Sequence, residues 1–169
     1  MKKMQTLIAA TLIIGLVATV GMPAASLADP VTEQITTLVL QYYTAMTNAD
    51  ISFIDDVTSN ASDAIAIGTD PAEVFVGHAA IVEWWQGIFD FLLGTPGYPN
   101  GGLPTVPNGD LPRVNHKDGV AWAADDATWQ FANGDVPFRL TLVFRKEQGQ
   151  WRIVQQHFSI GVSNTELPI

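Results

Sequence analysis

Residues 119–162 read GVAWAADDATWQFANGDVPFRLTLVFRKEQGQWRIVQQHFSIGV, and this stretch decides the fold. It divides into three runs rich in Val, Ile, Thr and aromatic residues, at 119–132, 136–146 and 151–162. Asn133-Gly134-Asp135 and Glu147-Gln148-Gly149-Gln150 separate them, and such short Gly-containing segments are hairpin turns. Three consecutive strands joined by tight turns make an antiparallel meander. Val114–Lys117 adds a short strand before them.

Upstream, the period changes from two to 3.6. Asp29-Pro30 reads as a helix cap followed by a first-turn proline, and Ile35, Leu38, Val39, Tyr42 and Met46 recur at helical spacing. This predicts a helix over 30–48. Asp50 caps a short second helix, 51–58, which buries Phe53, Ile54 and Val57. Ala64–Gly68 and Val74–Val76 flank the turn Thr69-Asp70-Pro71-Ala72-Glu73 and read as a hairpin. His78–Leu93 is a third helix, with Ile81, Trp84, Trp85, Ile88, Phe89 and Leu92 on a wide apolar face. Helices first and strands last give an α+β domain: one curved antiparallel sheet, with three N-terminal helices covering its concave face.

Between helix and sheet lies GTPGYPNGGLPTVPNGDLP, residues 94–112, with five Gly and five Pro. No regular element is expected there. A loop of this length is either a tolerated insertion or a lid over a pocket mouth, with Tyr98 and Leu103 as its apolar contacts.

The first 28 residues read as a separate unit. Lys2 and Lys3 precede an apolar run from Thr6 to Val20, and Ser26 and Ala28 are small residues suited to cleavage before Asp29. A cleaved signal peptide is expected, with residues 29–169 forming one secreted or periplasmic domain. The chain has 8 basic and 17 acidic residues and a formal net charge of −9, which becomes −11 without Lys2 and Lys3. Such a surface repels phosphate backbones, so nucleic-acid binding is not expected. With no Cys in the sequence, thiol catalysis, disulfides and cysteine metal sites are excluded. His78, His116 and His157 have no short ligand spacing, and neither a metal nor any other cofactor is expected. There is no Gly-rich phosphate loop and no Gly-x-Ser-x-Gly elbow.

Several segments together resemble the nuclear-transport-factor-2-like superfamily, in its SnoaL-like branch. They are YYTAMTNAD at the end of the first helix, IAIGTDPAEVFVGHAAIVEWW, GVAWAADDATW, and the ending WRIVQQHFS. That ending is also similar to the association domain of calcium/calmodulin-dependent kinases. The chain departs from the family ending at Gln155, where many relatives carry a first His. The resemblance implies a cone-shaped pocket between helices and sheet. It also implies a homodimer through the convex sheet face. Relatives include ketosteroid isomerases, polyketide cyclases, epoxide hydrolases and dehydratases, and others only bind ligands or assemble.

Candidate site residues follow from strand alternation. Trp151, Ile153, Gln155, His157 and Ser159 share one face; Arg152, Val154, Gln156, Phe158 and Ile160 share the other, more apolar face. His157 is therefore expected outside the core, unless a bulge swaps the faces. Asp125 and Asp126 are neighbours, so one of them points inward, and alternation alone leaves open which. An inward carboxylate in an apolar pocket has a raised pKa and can move protons near neutral pH. Asp125, Asp126 and His157 are the candidate catalytic residues. Asp70 stays in view through the resemblance, although turn chemistry also accounts for it. Tyr42, Tyr43, Trp84, Trp85, Trp122, Trp129 and Phe158 are the candidate ligand contacts. The function expected is binding of a small hydrophobic molecule. The alternative is cofactor-independent acid–base chemistry by an isomerase, cyclase or hydratase.

Overall fold

A computed structural model describes residues 29–161. The expected signal peptide, residues 1–28, lies outside the described residues, as does the end of the last predicted strand at Val162.

Helix α1 spans Pro30–Asn48. The Asp29 side chain accepts from the Thr32 N–H, and Ala49 ends the helix in the left-handed region at φ 53°. Its inward stripe is Ile35, Val39, Tyr42, Tyr43 and Met46. Helix α2, Ile51–Val57, starts where the Asp50 carboxylate accepts from the Phe53 N–H at 3.1 Å. Strands β1 (Ile65–Ile67) and β2 (Val74–Val76) form the predicted hairpin. Helix α3 spans His78–Leu93. Strand β3 is Thr105–Pro107, β4 is Arg113–Lys117, β5 is Val120–Phe131, β6 is Gly134–Glu147 and β7 is Gln150–Ser159.

The strands make one sheet in the order β2-β1-β7-β6-β5-β3, with β4 also paired to β5. The concave side carries Phe138, Leu140, Leu142 and Phe144 of β6 opposite Ala121, Ala123 and Ala127 of β5. Alanines on β5 leave room for α1, which packs over β3, β4 and β5. The aromatic residues of α3 fill the other part of the cone, beside Phe158.

Three expectations are corrected. The sheet is mixed rather than wholly antiparallel, because β1 runs parallel to β7 with Ala66 opposite Gln156. Their pairing joins segments about 90 residues apart, beyond the reach of any local turn signal. Residues 94–112 contain a regular element after all. Strand β3 pairs with β5, and as an edge strand it tolerates a terminal proline. Finally, Ile153 does not lie on the outer face with His157. A bulge in β7 places Gln155 opposite Val143 and Ile153 opposite Phe144, skipping Val154. The extra residue turns Ile153 into the core, where it is 3% exposed.

The Pro/Gly segment is pinned, which argues against a freely moving lid. Leu103 N–H donates to the Met46 carbonyl at 2.8 Å, and Gln130 N–H donates to the Pro104 carbonyl at 2.9 Å. Ala132 N–H donates to the buried Tyr98 hydroxyl at 2.9 Å.

Candidate functional site

The main apolar cavity, about 470 Å³, lies between α3 and the concave sheet. Trp84, Trp85, Ile88, Phe91 and Leu92 reach it from successive turns of α3. Leu103 comes from the pinned loop, Trp129 and Phe131 from β5, and Phe158 from β7. Thr69, Glu73 and Glu83 are its polar lining residues. The aromatic walls are mutually braced. Trp85 and Phe158 meet edge to face at 5.7 Å and 72°, and Trp129 stacks on Phe138 at 4.1 Å and 14°. The Trp129 Nε1–H is buried and has no acceptor among the described residues.

A polar cluster packs beside the cavity wall. Gln156 is 1% exposed, and its Oε1 accepts from the Tyr42 hydroxyl and, at 3.4 Å, from the Trp85 Nε1–H. Burial holds the Tyr42 phenol well above its ordinary pKa. Tyr42 thus orients a cavity wall without lining the cavity.

The carboxylate question has a geometric answer. Asp125 lies on the inward face of β5 and accepts from the Tyr43 hydroxyl at 2.9 Å. Asp126 lies on the outer face, exposed, with its Oδ1 3.9 Å from Arg139 Nε. Burial, opposed by the Tyr43 hydrogen bond, leaves the Asp125 pKa raised. Burial first, and then the Asp125 charge, push the Tyr43 phenol far up. This pair sits under α1 and not under α3. Asp125 opens onto a separate cleft of about 90 Å³, lined by Asn108, Asp110, Leu111 and Arg113. At about 30 Å³ per water, that space suits a few waters rather than a substrate.

Its pH behaviour is testable. An acid whose folded pKa is raised contributes stability below its unfolded pKa, near 3.8, and loses it as pH rises through the folded value. Asp125→Asn keeps an acceptor for Tyr43 and removes the titration. Urea unfolding at pH 7 should show the variant at least as stable as the parent. The difference between them should shrink at pH 3, where both parent states are protonated.

The remaining candidates are dispersed. His157 is half-buried on the outer face of β7, opposite Thr141 and Ile67, and does not line the cavity. Trp122 is likewise on the outer face and 43% exposed, so it cannot contact a ligand in the cone. Asp70 serves its turn, its Oδ1 accepting from the Ala72 N–H at 2.8 Å. Among the candidate ligand contacts, Trp84, Trp85, Trp129 and Phe158 line the cavity, whereas Tyr42, Tyr43 and Trp122 do not. Phe91 and Phe131 line it too, although strand and helix patterning did not single them out. The signals for them were present: Phe91 follows Trp84 by seven residues and Ile88 by three, and Phe131 shares the inward face of β5 with Trp129.

A shallower groove of about 660 Å³ lies across α1, α2 and the β6–β7 turn. Two of its charges pair with each other, Arg152 with Asp56 at 2.9 Å. Among the described residues no cluster of His, Cys, Asp or Glu is placed to hold a metal ion. No described helix is long and apolar enough to cross a membrane.

The family model of the SnoaL-like domain matches residues 35–163. No curated protein matches the chain in sequence. Solved structures share its fold. An NTF2-like protein of unknown function from Pseudomonas putida KT2440 aligns with TM-score 0.62 at 20% identity, covering 82% of this chain and 93% of that one. A nuclear transport factor 2 (NTF2-like) superfamily protein from Salmonella enterica serovar Typhimurium LT2 gives 0.62 at 18% identity, covering 79% and 93%. A protein with a cystatin-like fold from Caulobacter vibrioides gives 0.61 at 17% identity, covering 79% and 91%. Three helices on a curved, open, mixed sheet, with the family model covering most of the length, place this chain in the SnoaL-like domain family, with the nuclear-transport-factor-2-like fold.

Proposed function

We propose that the domain binds a small hydrophobic molecule in the α3 cavity and does not act on it chemically. The observation that carries this reading is the lining: six aromatic side chains and three aliphatic ones around about 470 Å³. The carboxylate that could exchange protons opens instead onto a cleft of its own.

Gly87 supplies the test. It lines the cavity from within α3, and a Cβ added there meets nothing within 4 Å. Gly87→Leu fills space beside the cavity while replacing a poor helix former with a good one. Titration with the neutral fluorescent probe N-phenyl-1-naphthylamine should saturate in the parent. In the variant, affinity should fall at least about tenfold, roughly 1.4 kcal/mol, with no loss of Tm. Unchanged affinity would place the probe elsewhere and sink the reading.

A second proposal concerns assembly. The outer sheet face exposes Trp122 at 43% and Val76 at 58%. A second copy packed on this face would cover both. Light scattering should give the mass of two chains, and Trp122→Lys should return it to one with the fold intact. Residues 1–28 are proposed to direct export. N-terminal sequencing of protein recovered outside the cytoplasm should then begin at Asp29.

A further inference from the structure

The cavity ligand has a charge preference that the lining itself sets. The ionisable side chains lining the cavity are Glu73 and Glu83, both acids. The surroundings reinforce them. Residues 29–112, which supply every helix and the pinned loop, contain eleven Asp and Glu and no Lys or Arg. The basic side chains of the domain begin at Arg113 and belong to β4, β6 and β7. The helical side of the cone thus carries an excess of negative charge, offset at α2 where Arg152 pairs with Asp56, and such an excess concentrates cations and repels anions. Inside, Trp84, Trp85 and Trp129 are among the lining residues, and aromatic π-systems attract organic cations.

From this geometry we infer that the cavity selects an organic cation, an amine or quaternary ammonium group on an apolar or aromatic body. The inference rests on the binding function proposed above and names its ligand class. The apolar body lies among the tryptophans, and the cationic head faces Glu73 and Glu83. Glu83 is exposed on α3. Glu73 is held in its turn, its Oε2 accepting from the Asp70 N–H at 3.0 Å, so its carboxylate is positioned before any ligand arrives.

Three probes sharing one ring system isolate the charge: 2-naphthylmethylammonium, neutral 2-naphthylmethanol and anionic 2-naphthoate. Calorimetric titration of residues 29–169 at low salt should rank them in that order. The cation should bind about fivefold or more tighter than the alcohol, and this preference should shrink in 0.5 M NaCl as exposed charges are screened. Glu73→Gln/Glu83→Gln should bring the cation down to the affinity that the same variant shows for the alcohol. The amide introduced by Glu73→Gln retains an acceptor oxygen for the Asp70 N–H. The single Glu83→Gln change, at an exposed site, should give part of the effect if the double variant fails to fold. If the alcohol matches the cation, or the preference survives in a folded variant, the charge inference falls while the binding function stands. If none of the three binds, the binding function falls and this inference with it.

Discussion

Trp85→Ala should lower the folding stability by about 3–5 kcal/mol, a large part of the roughly 5–15 kcal/mol that holds a domain of this kind together. Trp85 is 1% exposed and its ring meets Tyr42, Trp84, Phe89 and Phe158 at centroid distances of 4.9–5.9 Å. Truncation removes the largest buried side chain of the helix–sheet interface. It also takes one of two donors from Gln156, whose Oε1 then relies on Tyr42 alone. The hole cannot close easily, because α3 is already spaced from the sheet by Trp84 and Phe89. Urea unfolding should show a lower midpoint with a similar slope. A loss under about 1 kcal/mol would mean that Trp85 is not the keystone between α3 and β7. Trp85→Phe retains part of the ring contact, and an intermediate loss is expected.

Gly102→Ala should cost about 2–3 kcal/mol, near the upper end for overpacking, although the change adds a single methyl group. A Cβ at this position falls inside contact distance of the Thr47 carbonyl oxygen, 2.5 Å from its carbon and 3.1 Å from the Ala49 nitrogen. All three are main-chain atoms, so no rotamer change relieves the clash. The loop must lift from the end of α1. That would strain the Leu103 N–H bond to Met46 at 2.8 Å and the Thr105 N–H bond to the Thr47 hydroxyl at 3.0 Å. Leu103 would then withdraw from the cavity wall, and probe affinity should fall along with Tm. Gly87→Ala makes the contrast. Its Cβ has open space within α3, and a gain of about 0.5–1 kcal/mol is expected. Opposite signs for the two substitutions would show that the close approach at Gly102, and not glycine content, governs the loop. Equal signs would refute this.

What the sequence by itself determined was local. Period and caps were sufficient for α1 over Pro30–Asn48 and α3 over His78–Leu93, because Asp29, Pro30 and the apolar stripes act within a few residues. Alternation sorted Asp125 from Asp126 and His157 from Phe158, since successive strand residues must take opposite faces. It could not tell which face was inside for the two aspartates. That depended on α1 lying over the alanines of β5, a contact between distant segments. The tertiary structure alone decided the parallel pairing of β1 with β7, the strand within the proline-rich loop, and the bulge that turned Ile153 inward. It also decided the point on which function turns. Tyr43 and Asp125 are drawn together under α1, while Trp84, Trp85, Trp129 and Phe158 enclose a cavity under α3. All six face the same side of one sheet, and only the separate placement of two helices on that sheet divides them into a tyrosine–carboxylate pair and an aromatic-lined cavity.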